Sequence, residues 1–407
     1  MSDLDAFRRR VEDFLAARFP RRSQAVRHGE GDDTLVGAAF RESDDELGDL
    51  QRARAYQREL FDAGLAWLDG PVELGGAGLG AAERRAFAEV AAGYEVPDVN
   101  GLLVGQQIVA PAVLVHGTEE QRRRYLPALW SGELVGCQLF SEPGAGSDLG
   151  SLRTRARKVE GGWRVDGQKV WSSGAHLAQV GELLARTSAD PESRTRGLTM
   201  FLLDMGTPGV TVRPLRQMTG TAHFCEVFLD DVFVPDDAAL GGVGDGWSVA
   251  NVSLSSERDN FGDDTASLFL HLLDRLVLLG REVGADHDPD VRDRLADGYV
   301  RQVVTQALPS SLAAADPRVA AVGASLVKLF ATDADRRLVQ LALDVLGPSL
   351  VADTGAWGTY AWSRVLLGIH ATRIAGGTDE IQRNILAERA LGLPREARPA
   401  RPAQGAG

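Results

Sequence analysis

The chain of 407 residues is poor in cysteine: Cys137 and Cys225 are its only two, and they form no CxxC pair. A disulfide framework and a thiolate metal site are therefore both unexpected. Positive charge is in deficit too, with 44 Lys and Arg against 57 Asp and Glu, a formal net charge of -13. That balance argues against a nucleic-acid partner, which needs basic residues in excess to meet the phosphate backbone. No run approaches the roughly 18 to 20 apolar residues that span a bilayer, so no integral membrane contact is expected. The opening MSDLDAFRRRVEDFLAARFP spreads its charges through an amphipathic pattern, with Leu4, Phe7, Val11 and Phe14 at helical spacing. A signal peptide is built differently, and a cytoplasmic location is the expectation.

Familiar catalytic signatures are missing as well. There is no GxxxxGK[ST], no HExxH, no GxSxG elbow and no GxGxxG between a strand and a helix, so a Rossmann site for NAD is unexpected. The seven histidines are scattered, none paired at ligand spacing, and His370 reads as an ordinary helix residue. GGVGDG, residues 241 to 246, reads as a glycine-rich turn.

What the chain does contain is the composition of a globular protein, 44% apolar and 25% charged, long enough for two or three domains. Residues 1 to about 130 read as helical: LQRARAYQRELFDAGLAWL and AAERRAFAEVAAGYE carry apolar residues at mixed three and four spacing, with the glycine-rich GPVELGGAGLG between them. From about 135 to 236 the period changes. TRARKV, GWRVDGQKVW, GLTMFLLDM, VTVRPL and CEVFLDDVFVP are short β-prone runs punctuated by EGG, VDGQ and GTPG, as in the antiparallel strands of a small barrel or sandwich. Helices return from about 245, with Gly246 as a start signal, in DRLVLLGREV, ASLVKLFATDADRRLVQLALDVL and SRVLLGIHATRIA. The fold class is α+β: an N-terminal helical domain (1–132), a middle antiparallel β domain (133–238), a C-terminal helical domain (239–394) and a tail (395–407) whose Pro, Ala and Gly content predicts disorder.

Two stretches suggest a site. LFSEPGAGSDLGS, residues 139 to 151, joins a strand-like run to a loop of small residues whose hydroxyls and backbone N–H groups suit a polar or anionic ligand, or simply a turn. DGQKVWSSGAH, residues 166 to 176, sets a tryptophan before two hydroxyls. That fits a ring stacked beside a flat cofactor, and equally a core tryptophan at a strand end.

In order, PVELGGAGLG, SEPGAGSD, GQKVWSSGA, RQMTGTAHFCEVFLDDVFVP and IAGGTDEIQRNILAERALGLPR resemble the acyl-CoA dehydrogenase family, from about residue 5 to 395. The resemblance implies a helical, β-barrel, helical architecture, bound FAD, an acyl-CoA thioester substrate and electron transfer to an electron-transfer flavoprotein. It implies that Gln138 to Ser147 lie along the flavin, including Phe140, Ser141 and Gly146, with Ser141 near the isoalloxazine edge and Ser147 near the substrate. Trp171, Ser172 and Ser173 would flank the ring from the other side, and Thr378 and Glu380 would meet the cofactor's phosphates or ribose at a helix start. Ile381, Ile385 and Ala390 look like core on that helix.

The chemistry implied is loss of hydrogen from Cα and Cβ of a thioester, which needs a base for the Cα proton and donors for the developing enolate oxygen. Many family members place a Glu immediately before the Gly-Thr pair, where this chain has Gly376. A second pattern, seen in isovaleryl-CoA dehydrogenase, puts the Glu before an Arg on the first C-terminal-domain helix. NVSLSSERDNFG offers Glu257 and Arg258 there. On a helix starting near Trp247, Glu257 shares a face with Ala250, Leu254 and Phe261, and desolvation on that face would raise its pKa toward neutrality. Gly376 and Gly377 would border the substrate, Gly376 through its backbone N–H on the thioester carbonyl, and the absent side chain leaves room for branched or cyclic acyl groups.

Two family segments that hold FAD across a subunit interface are altered. Arg-x-x-Phe-Gly falls where this chain reads LLGREVGADHDPDV, with only Arg281 loosely matched, and QxxGG is replaced by DVLGPSLV, with Pro348 in the loop. The expected assembly is a homo-oligomer, dimer or tetramer, or a heteromer with a related subunit that completes the sites. A half-site subunit and a flavin monooxygenase or oxidase are the alternative activities.

Overall fold

The structure, a computed structural model, describes residues 3–22, 45–351 and 359–395, leaving aside the side chains of 191–192, 258–271, 313 and 359–361. The tail expected to be disordered lies, from 396 on, outside the described residues, as does the side chain of Arg258. Helices, a sheet and helices again follow one another in the expected order. Two compact units emerge, one of Met1–Asn260 with Leu346–Gly368, the other of Phe261–Val345 with Ile369–Gly407.

In the first unit α1 (Asp3–Ala16) buries Phe7, Val11 and Leu15 at steps of four, against Tyr56 and Leu60 of α2 (Glu46–Asp62) and Ala86 of α3 (Ala81–Ala91). Next come α4 (Asn100–Val104), a π-turn at Gly105–Val109, α5 (Ala110–His116) and α6 (Glu119–Trp130). A capping box starts α6: Gln121 N–H donates to Thr118 Oγ1 at 3.2 Å and Thr118 N–H to Gln121 Oε1 at 3.0 Å. The Gln121 amide then donates to the carbonyls of Asp237 and Ala239, tying this helix start to the far end of the sheet.

The sheet has eight strands: β1 (Gly136–Leu139), β2 (Arg155–Val159), β3 (Gly162–Ser173), β4 (Val180–Arg186), β5 (Leu198–Asp204), β6 (Val210–Leu215), β7 (Phe224–Pro235) and β8 (Ala239–Leu240). Its order is β6-β7-β3-β2-β4-β5-β8, and β1 lies beside β4. The sheet is mixed, because β1 runs parallel to β4, from Gly136↔Val180 to Leu139↔Leu183. The chain between them is long enough to return in the same direction, since it contains the loop after β1 and the β2–β3 hairpin. Neither strand stands out in the sequence: β4, VGELLAR, is buried on both faces and lacks the alternation of a half-exposed strand.

Alternate residues feed two cores. Cys137, Leu139, Leu183, Ala185, Phe201 and Leu203 join Trp163 and Val227 on one side. On the other side Val180, Leu184, Met200 and Leu202 meet Val109, Val113 and Leu126 of the N-terminal helices and Val249 and Ala250 of α7 (Gly246–Glu282). The sheet thus packs on helices with one face and on its own strands with the other, and β1 is held close to the π-turn. A Cβ built on Gly136 would stand 2.8 Å from Gly105 Cα, a backbone contact that cannot give way.

In the second unit Leu272, Leu273, Leu276 and Leu279 of α7 form a buried stripe. There follow α8 (Pro289–Ala313), α9 (Pro317–Ala320) and α10 (Gly323–Leu346), whose buried face mixes Val327, Ala331 and Leu338 with Lys328, Thr332 and Asp335. Helix α11 (Thr359–Thr372) begins in the first unit and ends in the second, and α12 (Asp379–Ile385) completes the second.

Gly136→Ala is expected to cost about 1–3 kcal/mol by overpacking the β1–π-turn contact. A urea titration that finds the variant as stable as the parent would show that the two backbones separate freely.

Candidate active site

The loop after β1 takes its shape from a buried ion pair. Lys169, on the inward face of β3 and 0% exposed, donates to Phe140 O at 2.9 Å and to Glu142 Oε1 at 3.0 Å. Glu142 also accepts from the backbone N–H groups of Arg153 at 2.6 Å and Thr154 at 2.8 Å. Burial pushes the Glu142 carboxyl up, but the Lys169 charge and these N–H groups outweigh it and hold the carboxyl below its ordinary range. Burial likewise pushes the Lys169 ammonium down, to about 8, against the pull of Glu142. A tight turn closes between Glu142 and Ala145, whose N–H and C=O groups bond reciprocally at 3.0 Å.

Behind this frame Phe140 is buried in the core, while Ser141 is half-buried and Gly146 and Ser147 are exposed. A Cβ on Gly146 would meet nothing within 4 Å, so the loop opens onto free space. Val170 N–H donates to Ser141 O at 2.9 Å, which joins the loop to the end of β3. There the β3–β7 register shifts between Lys169 and Ser172. The bulge leaves Trp171 at φ 62, a left-handed conformation unusual for a bulky side chain. Trp171 is 57% exposed and meets Phe224 edge-on, centroids 5.8 Å apart, so it is no core residue. Ser172 is buried beside it with its Oγ unpartnered, Ser173 is half-buried, and Gln138 on β1 has a buried Nε2 without a partner.

These features fit a flat polar cofactor. An isoalloxazine ring is apolar on its face and lined with acceptors along its edge. An exposed indole supplies the first contact, and buried donors lacking protein partners supply the second.

Glu257 lies on α7 in the same unit. Val249, Ala250 and Ser253 are buried against the sheet, and Glu257 follows Ser253 by four residues on that helix face, half-buried. Ser253 Oγ donates to Glu182 Oε1 on β4 at 2.6 Å. Glu182 is the register partner of Gln138 in the parallel β1–β4 pair, so both side chains leave the same face of the sheet, the one that α7 covers.

The other predicted residues sit in the second unit. Gly376 and Gly377 have φ of 63° and 87°. A Cβ on Gly377 would stand 2.7 Å from Gln382 Nε2, so conformation and space both call for glycine. Fully buried Gln382 donates to Gly376 O at 2.8 Å and accepts from Ser325 Oγ, while buried Lys328 donates to Gly377 O. With these carbonyls held inward, the trans peptide points the N–H groups of Gly377 and Thr378 the opposite way. Thr378 caps α12, accepting from Ile381 N–H at 3.2 Å, and its own hydroxyl hydrogen remains a donor. Asp379 is buried, bonded to Arg373 Nε at 2.7 Å, and Glu380 is exposed. Ile381, Ile385 and Ala390, read as core, are half-buried; the buried residues of α12 are Asp379 and Gln382, whose polar groups bond Arg373 and the turn.

Five residues that hold these parts were not singled out from the sequence: Glu142, Lys169, Glu182, Lys328 and Gln382. Lys169 shares the inward parity of Val165, and Glu182 interrupts an otherwise apolar strand; both are charges where the pattern asks for none.

A sheet layered against helices, with an exposed tryptophan followed by a serine whose buried hydroxyl is unpartnered, fits a flavoprotein. The families described as acyl-CoA dehydrogenase N-terminal, middle and C-terminal domain match residues 2–133, 137–232 and 244–391. Acyl-CoA dehydrogenase IpdE1 of Mycobacterium tuberculosis is 39% identical over 98% of this chain and 100% of its own length. Isovaleryl-CoA dehydrogenase of Oryza sativa subsp. japonica is 29% identical over 80% of each. Among solved structures, a variant of the Tcur3481-Tcur3483 steroid ACAD superposes with a TM-score of 0.78 at 25% identity over 97% of this chain and 99% of that one. The ChsE4-ChsE5 complex from Mycobacterium tuberculosis gives 0.73 at 25% identity over 97% and 99%. The chain belongs to the acyl-CoA dehydrogenase family and is an FAD-dependent oxidoreductase. No helix among the described residues is long and apolar enough to cross a membrane, and no cluster of metal-binding side chains occurs among them.

Lys169→Met leaves a charged Glu142 buried without its cation, and the expected loss is about 3–5 kcal/mol in denaturant titrations near neutral pH. In the parent, the contribution of Glu142 is complete above the unfolded value of 4.5 and is lost as pH falls through its depressed folded value. An equally stable variant would show that the pair does not hold the loop.

Proposed function

We propose that the chain is a catalytic, FAD-bearing subunit that forms the 2,3-double bond of an acyl-CoA thioester, with Glu257 as the base for the Cα proton. The placement of Glu257 carries this reading: it follows Ser253 on the sheet-facing side of α7, and that face covers the edge of β1 and β4 from which Gln138 emerges. Bound FAD supplies the acceptor for the β-hydride. The chain's own residues do the rest. Trp171 gives the ring an apolar face, and Gln138, Ser141, Ser172 and Ser173 present polar groups to its edge. Ser147, Gly376 and Gly377 border the thioester, with the Gly376 N–H on its carbonyl. Thr378 and Glu380 take the cofactor's phosphate or ribose groups, and Arg258 keeps a substrate-side role by resemblance alone. Electrons leave to an electron-transfer flavoprotein.

The substrate class follows from Gly376, which leaves the Cα region without the side chain many relatives carry. That absence supports bulky ring-bearing acyl groups, as does a structural neighbour named as a steroid ACAD. The ChsE4-ChsE5 complex, a neighbour made of two named proteins, supports a second reading: this chain pairs with a related subunit. The segment where the family's QxxGG is replaced supports it as well, since it folds into a 3₁₀ turn at Gly347–Val351, with Gly347 at φ 50.

Anaerobic titration with a panel of acyl-CoA thioesters tests both readings. A flavin bleached by ring-bearing thioesters supports the first, and a protein that binds flavin only when co-expressed with a related chain supports the second. Glu257→Gln is expected to keep its flavin and lose about 10²–10⁴-fold in bleaching rate, the usual contribution of a general base. Bleaching at the parent rate would remove Glu257 from the mechanism.

A further inference from the structure

Glu182 is a fully buried carboxyl of the first unit. It is 0% exposed in the middle of β4, between Val180 and Leu184 on its face of the strand. Its Oε1 accepts from Ser253 Oγ at 2.6 Å, and its buried Oε2 has no partner. Among the described residues no Lys, Arg or His forms an ion pair with it. The titratable groups that bear on it are Glu257, on the helix packed over it, and Cys137, on the neighbouring strand with its side chain on the opposite face. An ionised carboxylate in this position is desolvated with no cation to offset the loss of water.

We infer that Glu182 is a positioning residue for the base: it holds a proton while Glu257 is ionised, and through Ser253 it fixes α7 on β4 one helical turn before Glu257. The inference rests on the assignment of Glu257 as base. Three observations carry it: the full burial of Glu182, its unpartnered oxygen, and the hydroxyl that links it to the base's own helix. Burial pushes the Glu182 carboxyl up, to about 8; the Ser253 hydrogen bond opposes the rise and the charge of Glu257 adds to it. The coupling acts in both directions. When Glu257 takes the Cα proton its charge disappears and Glu182 becomes more acidic. When Glu182 ionises, above about pH 8, its charge makes Glu257 more basic.

Two readouts test this, one of them independent of turnover. Glu182 is more basic folded than unfolded, so the folded state binds the extra proton between about pH 4.5 and about 8, and parent stability declines as pH rises through that window. Glu182→Gln has the same shape and no titration, so its decline is expected to be shallower. The second readout is the rate of flavin bleaching by a thioester. In the parent a rise of about threefold is expected as pH passes about 8, from the greater basicity of Glu257. In Glu182→Gln this rise is expected to vanish while the limb at lower pH stays.

Identical stability slopes, or an upper rise that survives in Glu182→Gln, would overturn the inference. A merely structural role would lower stability at every pH and leave both profiles unchanged in shape. If Glu182→Gln does not fold, the parent decides: an infrared band of a protonated carboxyl at pH 7 that disappears by pH 10 supports the buried proton, and its absence sinks it. Glu257→Gln separates the two readings. If that variant stays active the base assignment fails, whereas the stability slope still reports the proton on Glu182.

Discussion

The Glu142–Lys169 pair is the interaction on which the site of the first unit depends. One ammonium holds the Phe140 carbonyl just past β1 and a carboxylate of the same loop, and that carboxylate holds the residues leading into β2. Remove the cation and the Phe140 carbonyl and the Glu142 carboxylate lose their common partner at once. The same lysine sits two residues before Trp171, so the pair that shapes the loop also fixes where the exposed indole leaves the strand. A buried pair of this kind contributes little net stability compared with an apolar replacement, and its value is that it permits one loop conformation.

The predicted residues of the two units are held by different means. In the first unit a charged pair inside a sheet sets a loop of small residues. In the second, a glutamine and a lysine hold two glycine carbonyls inward, which turns the next N–H groups outward. Both solutions use buried side chains to aim backbone groups, and in both the aiming residue lies some distance away in sequence from the group it aims. Lys169 is 29 residues from Phe140, and Lys328 is 49 from Gly377.

That separation explains what the sequence made legible. The order of helical and strand regions was readable because hydrophobic period is a local property, and α1, β3, β7 and α10 all carry it. Trp171 and the glycine pair at 376 and 377 were readable as candidates because motif and spacing mark them. The exposure of Trp171, and with it the choice between stacking surface and core residue, depended on a β-bulge that arises from pairing with β7, which is not local. β4 escaped notice because a strand buried on both faces loses its alternation. Glu142, Lys169, Glu182 and Gln382 act through partners on other elements, and only their presence in apolar surroundings hinted at a task.

The backbone at Trp171 has a consequence for how this position can vary. A left-handed residue with a large side chain costs about 1–3 kcal/mol that a glycine there would not. Selection for thermal stability alone would therefore push this position toward glycine, while the proposed role as a surface for a flat ring would hold it at tryptophan. Among variants evolved under both pressures, position 171 is where the two demands meet in a single residue, and the identity found there reports which of them prevailed.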